Sequence, residues 1–422
     1  MTPLSRRQFL SRLTGTTLAL GLGRVLAAPV SHPDPLPLPL VEPSTYPAAP
    51  LPGATQPLAP GERLAPALPR LTLSNFPEVH RCEYATNGVS EAAHTVLLIP
   101  DAEVQPSYVQ ALTRRAVEQT LAARASLAEV AVSAYRAGNY QGFGGPAPLL
   151  TVSVPRVRLG EFIAAFAQPG RVYDRMWVNP DQIPAAMRPA SREFEKVPVY
   201  VGTPQGLAAQ RVRQLADQLN GGVHKGVFFH GSPHHRNAAL SFDDAPHPIY
   251  APLLLEILQR ANVKATFFCI GRNARAYPYY VRDIQTHGHE IGNHTFHHVR
   301  LTGLPLQTVK DELQQCNQVL SAITGNAVKY FRPPGGRYSP ETLAVAGSLG
   351  LTTAFWTDDP ADFDNPGQTI LESRLARKLR AGGIVLLHDN VLESLRVLPR
   401  FIAVAAGQRI KLETVTELAE TN

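Results

Sequence analysis

The chain has 422 residues, room for two domains or one large domain with extensions, and its 44% hydrophobic and 18% charged residues suit a globular protein with a sizeable core. A formal net charge of +6 favours anionic partners only mildly, and no dense Lys/Arg stripe interleaved with aromatics occurs, so nucleic-acid binding has little support. Three cysteines, Cys82, Cys269 and Cys316, leave at least one thiol free, and Cys269 inside "ATFFCIG" reads as a small core residue.

Residues 1–28 read as an export signal. Arg6-Arg7 followed by Gln8-Phe9-Leu10 resembles the S-R-R-x-F-L pattern of twin-arginine signals, and a weakly apolar stretch from Leu13 to Gly23 leads to small residues at Ala27-Ala28. The apolar run falls short of the ~20 residues a membrane span needs, and Arg24 interrupts it. The expected destination is the periplasm, the cell envelope or the outside. Residues 29–69 are dominated by Pro, Ala and Leu; proline fixes φ and removes donors, which predicts an extended linker.

Residues 70–235 predict a small α+β domain of unknown role. Strands are expected at 94–101, 128–137 and 148–157, with helices at 108–125, 159–167 and 203–222. "GFGGP" at 142–146 is followed by Pro-Ala-Pro rather than a helix start, so a turn is expected there and not a phosphate cradle.

From 236 to 422 short apolar strands alternate with helical segments, from "AALSFDDA" through "KATFFCIG", "HEIGNHT" and "VKYFRPPGG" to "GGIVLLHDN", which argues for a parallel α/β fold. Polar residues repeatedly follow the strands: Asp243-Asp244, His294, Arg332, Asp359 and His388-Asp389. In a parallel barrel such strand ends converge on one site.

"HEIGNHTFHHVR" at 289–300 holds four histidines, a density that points to a metal. The H-E-x-x-H protease pattern fails, because residue 293 is Asn. His294 with His298, or His294 with His297, could share a helical face, and spacing does not choose between them. Asp243 and Asp244 point to opposite faces in a regular strand, but at a strand end or bulge both can face a cleft.

Five segments in order from 241 to 390 resemble the polysaccharide deacetylase (NodB-homology) family of carbohydrate esterases. They are Ser241-Phe242-Asp243-Asp244, then His294-Thr295-Phe296-His297-His298, then Arg332-Pro333-Pro334-Gly335-Gly336, then Trp356 with Asp359 and Asp362, and Leu386-Leu387-His388-Asp389. The resemblance implies a distorted (β/α) barrel behind the smaller α+β domain. It implies that Asp244, His294 and His298 bind a divalent metal, zinc or another such as Co2+ or Ni2+, which polarises an acetyl carbonyl and acidifies water. It implies Asp243 as general base, His388 as the acid that protonates a leaving amine, and Arg332 and Asp362 as residues that orient and tune Asp243. The backbone N–H of Gly335 would hold the oxyanion, and Leu386 and Trp356 would line the acetyl pocket.

Three departures from the family pattern stand out: Ala245 for Gly, Gly335 where a larger residue is common, and Phe363 for Trp. Ala245 is harmless unless its backbone needs a positive φ. His297 is expected to face away from the metal, His289 to pack at the strand end, and Asp389 to position the loop carrying His388. The expected activity is removal of N-acetyl groups from GlcNAc- or MurNAc-containing glycans, peptidoglycan ahead of chitin-like oligomers, with a polysaccharide or oligosaccharide substrate and an association with the cell envelope. An O-acetyl esterase using the same site, or an envelope glycan-binding protein that has lost activity, are the alternatives.

Overall fold

A computed structural model describes residues 67–142, 145–167, 172–180, 218 and 220–421. The export signal, nearly all of the linker and most of the helix expected at 203–222 lie outside these residues.

The first described region is a five-stranded sheet in the order β1 (Val79–Thr86), β2 (Glu91–Ile99), β3 (Leu127–Arg136), β4 (Leu150–Pro155) and β5 (Met176–Val178). β2 and β3 are parallel and joined through the helix Pro106–Ala123; the other neighbours are antiparallel. Alternation along β3 sends Val130, Val132 and Ala134 towards that helix, where they pack with Val117 and Leu121. The opposite face carries Ser133 and Tyr135, and both hydroxyls bond the Tyr277 hydroxyl, at 2.9 and 3.3 Å. Both faces are therefore covered, which explains the nearly continuous burial of β3.

The second sheet runs β13 (Ile384–His388), β8 (Asn237–Ala245), β9 (Thr266–Cys269), β10 (Glu290–Asn293), β11 (Tyr330–Phe331), β12 (Thr352–Ala354), β7 (Val227–Phe228) and β6 (Val223–His224), with β14 (Lys411–Glu413) on β8. From β13 through to β7 every pairing is parallel. Beyond β12 the chain returns to β13: Asp358 N donates to Ile384 O at 3.1 Å, and Leu386 N donates to Asp358 O at 2.9 Å. That bridge, together with Gly231 N donating to Gly382 O at 2.7 Å, closes the ring unevenly, giving the distorted (β/α) barrel. Phe242 and Phe267, stacked at 5.1 Å, are buried in its main apolar cluster.

Two features differ from expectation. β6 and β7 lie within 70–235, yet they join the barrel sheet, so that sheet begins at Val223. The helix Leu392–Gly407 follows the last strand expected from the sequence, and its interior Pro399 speaks against a helix in any sequence reading.

The five-stranded sheet is fixed to the barrel by buried polar contacts. Asn87 donates to Leu253 O and to Glu256, and Arg175 bridges Glu129 at 3.2 Å and Asp283 at 2.7 Å. None of the described residues between 67 and 180 lines the cleft described below. No helix of the described residues is long and apolar enough to cross a membrane.

Candidate active site

The carboxyl end of β8 breaks regularity. Its register against β9 shifts between Phe242 and Ala245, and Asp244 takes φ +71°. This bulge resolves the pleat problem, since Asp243 and Asp244 both line the same cleft. The left-handed residue is Asp244, a type that tolerates it, and Ala245 has no positive φ; a Cβ at 245 therefore carries no backbone strain.

The histidine segment is a loop. Thr295 and His298 both have positive φ, +62° and +59°, so no helical face joins His294 to His298. The loop is held from inside by two side chains. Asn293 Oδ1 accepts from Thr295 N at 2.8 Å. Glu312, buried on the helix Leu306–Thr324, accepts from Phe296 N at 3.0 Å, His297 N at 2.8 Å and His297 Nδ1 at 2.6 Å. His297 is thereby turned away from the cleft, while the His294 and His298 rings face each other at 4.9 Å.

His294 Nδ1 donates to Arg332 O at 2.8 Å, which leaves a lone pair on Nε2. That Nε2 lies 3.6 Å from Asp244 Oδ1, and His298 Nε2 lies 3.1 Å from the same oxygen. Burial and the neighbouring His294 push the His298 pKa down to about 4, so its ring is neutral at pH 7. Asp244 Oδ1 is buried and accepts no hydrogen bond, and ligand atoms of all three residues lie within 4.8 Å of one another. Two imidazole nitrogens and an orphaned carboxylate oxygen fit a divalent cation. Asn390 Nδ2, which the sequence did not single out, donates to the other Asp244 oxygen at 3.1 Å.

Glu312 was also missed, although it had a signal. Val309, Glu312, Leu313, Cys316 and Leu320 form one buried stripe, and a carboxylate in such a stripe needs donors. Glu312→Ala should weaken zinc affinity by about 10- to 100-fold, measured by competition with a chromophoric chelator. Unchanged affinity would show that the loop holds its shape without the carboxylate.

Arg332 is fully buried. Nη1 donates to Asp243 Oδ1 at 2.7 Å and to Ser241 Oγ at 2.8 Å, Nη2 donates to Phe355 O at 3.0 Å, and the guanidinium lies 4.0 Å over Phe268. Burial works against the Asp243 charge, but Arg332 and then His294 outweigh it and hold the pKa below the usual carboxylate value. The expectation that Asp362 also bears on Asp243 needs correction. Asp362 is committed to His388, taking its Nδ1–H at 2.7 Å and its backbone N–H at 2.8 Å, and it also accepts from Ser394 Oγ. Chain geometry explains the switch: β13 delivers His388 beside the short 3-10 turn Asp362–Asp364. Burial opposes charge on His388, yet Asp362 outweighs it and the pKa rises to about 10.

These groups share a cleft of about 750 Å³ with Trp356, Leu386, Gly335, Tyr250 and Phe363. Phe363 keeps an exposed aromatic edge-on to His388, at 5.6 Å. Gly335 and Gly336 both have φ +64°; a Cβ on Gly336 would lie 2.6 Å from Trp356, whereas one on Gly335 would meet only Arg300. The Asp389 carboxylate points elsewhere, accepting from His247 N at 2.9 Å, and His289 packs edge-on to Phe267.

A family model described as polysaccharide deacetylase matches residues 230–354. A chitooligosaccharide deacetylase of Azorhizobium caulinodans is 39% identical over 152 residues, 36% of this chain and 72% of that protein. A peptidoglycan-N-acetylglucosamine deacetylase of Bacillus cereus is 31% identical over 185 residues, 43% of this chain and 86% of that protein. Among solved structures, one described as a CE4 family pseudoenzyme from Bacillus anthracis is 30% identical, aligned over 47% of this chain and 70% of that chain with a TM-score of 0.45.

Proposed function

The chain belongs to the polysaccharide deacetylase family, and from that membership we propose that it hydrolyses N-acetyl groups of glycans containing GlcNAc or MurNAc, peptidoglycan ahead of chitin-like oligomers. One observation carries the reading: an ionised buried carboxylate, an open three-donor cluster and a protonated imidazole face a single cleft. The names of the relatives support an N-acetylated glycan as substrate. An intact set of donors, base and acid speaks against a glycan-binding protein without activity.

Asp244, His294 and His298 would hold the divalent metal, zinc by its preference for such nitrogen and oxygen donors. When bound, it supplies a Lewis acid that polarises a carbonyl and acidifies water. Asp243 takes a proton from water as the water oxygen bonds to the acetyl carbon. The Gly335 N–H donates to the developing oxyanion, and Leu386 with Trp356 encloses the methyl group. His388 Nε2 gives its proton to the nitrogen as the C–N bond breaks, releasing acetate and a free amine. Arg332 keeps Asp243 ionised and Asp362 keeps His388 protonated and oriented. Arg6-Arg7 and the residues after them support twin-arginine export to the periplasm, the envelope or the outside.

Chelation should abolish acetate release from an N-acetylated oligosaccharide, and added zinc should restore it. Full activity in the chelated protein would overturn the metal-dependent reading. Faster release from an O-acetylated sugar than from its N-acetyl counterpart would shift the assignment to an esterase.

A further inference from the structure

We propose that Arg300 makes this cleft selective for acidic glycans, its guanidinium binding a carboxylate on, or next to, the sugar that loses its acetyl group. The inference rests on the deacetylase reading above and names the substrate class of the same site.

The first observation is the space around Gly335. No side chain stands there, and a Cβ built on it would have a single neighbour within 4 Å, the Arg300 Nε at 3.9 Å. The guanidinium therefore occupies the flank of the cleft that a larger residue at 335 would wall off. Arg300 lies two positions after His298 and lines the same cleft as Asp243, Asp244 and His388.

The second observation is that this cation is uncommitted. Arg300 is exposed, is the only Lys or Arg among the described lining residues, and makes no hydrogen bond or ion pair with any described residue. The acids of the cleft have other partners. Asp243 is bound by Arg332, Asp244 faces the two histidines and Asn390, and Asp359 Oδ1 accepts from Ala361 N. His388, the other cation, is held by Asp362. A planar guanidinium whose donors no described residue uses matches a carboxylate in bidentate geometry. A neutral chitin-type chain offers no such group. An ether-linked lactate with a free carboxylate, as on peptide-free MurNAc, or a neighbouring uronate does.

The test compares kcat/KM for acetate release on three substrates of equal length: a neutral GlcNAc oligomer, a peptide-free GlcNAc–MurNAc oligomer and an alternating GlcNAc–glucuronate oligomer. The wild-type protein should favour at least one acidic oligomer over the neutral one by about five- to tenfold, mainly through KM, and raised salt should shrink the margin. The acidic oligomer that wins identifies the carboxylate source. Arg300→Gln should remove the preference, Arg300→Lys should retain part of it, and Arg300→Glu should reverse it. A wild-type protein that treats the neutral oligomer as well as both acidic ones would overturn the proposal. So would an acidic-to-neutral ratio that Arg300→Gln leaves unchanged. Acetate from none of the three would instead bring down the deacetylase reading itself.

Discussion

Asp243→Asn should lower kcat for acetate release by about 10³-fold, within the range that general base catalysis contributes, while zinc binding stays stoichiometric. The substitution keeps the shape of the side chain and an oxygen that can accept from Arg332 Nη1, which donates to Asp243 Oδ1 at 2.7 Å. It removes the capacity to take a proton from water. The three candidate ligands are other residues, and His294 is oriented through the Arg332 carbonyl rather than through Asp243. The measurement pairs turnover with metal content by atomic absorption. Activity within tenfold of wild type would remove Asp243 as base, and loss of the metal would place it among the ligands. Chelation and Asp243→Asn thus silence the protein by separable routes, one reversible with zinc and one not.

How much of this site was legible in the sequence depends on how local each contact is. The donor set and Asp243 sit in contiguous stretches whose residue types and order already limit the chemistry. Asp244 and His298 were legible as residues but not as geometry. Both converge through left-handed backbone, at φ +71° and +59°, which neither strand nor helix periodicity encodes. The sheet order from β8 to β12 follows the chain and was readable as strand–helix alternation. The short β6–β7 hairpin was not, because strands of two residues carry no period. Long-range partners were the least visible. Glu312 holds Phe296 and His297 of the loop from a helix 15 residues away in sequence, and only its place in an apolar stripe marked it. Asp362 belongs to the right motif, but whether it serves Asp243 or His388 is decided by where β13 meets the turn after β12, a tertiary fact.

Arg332→Met should be the most destabilising single change at the site, by about 3–5 kcal/mol at neutral pH. Methionine fills a similar volume, so the loss is not one of packing. Asp243 is left buried and ionised without its hydrogen-bonded cation, and the carbonyls of Ala354 and Phe355 lose the Arg332 donors. The pH dependence separates these terms. In the wild-type protein Asp243 has a folded pKa below its unfolded value, so it adds stability above about pH 4 that is lost as pH falls through the folded value. In the variant the largest lowering influence, that of Arg332, is gone and only His294 and His388 still oppose burial, so the folded pKa rises above its wild-type value. Relative to wild type, such a carboxyl costs stability at high pH and ceases to do so once it is protonated in both proteins. The stability gap between the two proteins should therefore narrow as pH drops from 7 towards about 4, as followed by denaturant unfolding of the metal-free forms. A gap that stays constant with pH would assign the loss to the orphaned carbonyls. The double variant Arg332→Met with Asp243→Leu provides the control, since removing both charges together should recover much of the stability that the single change forfeits.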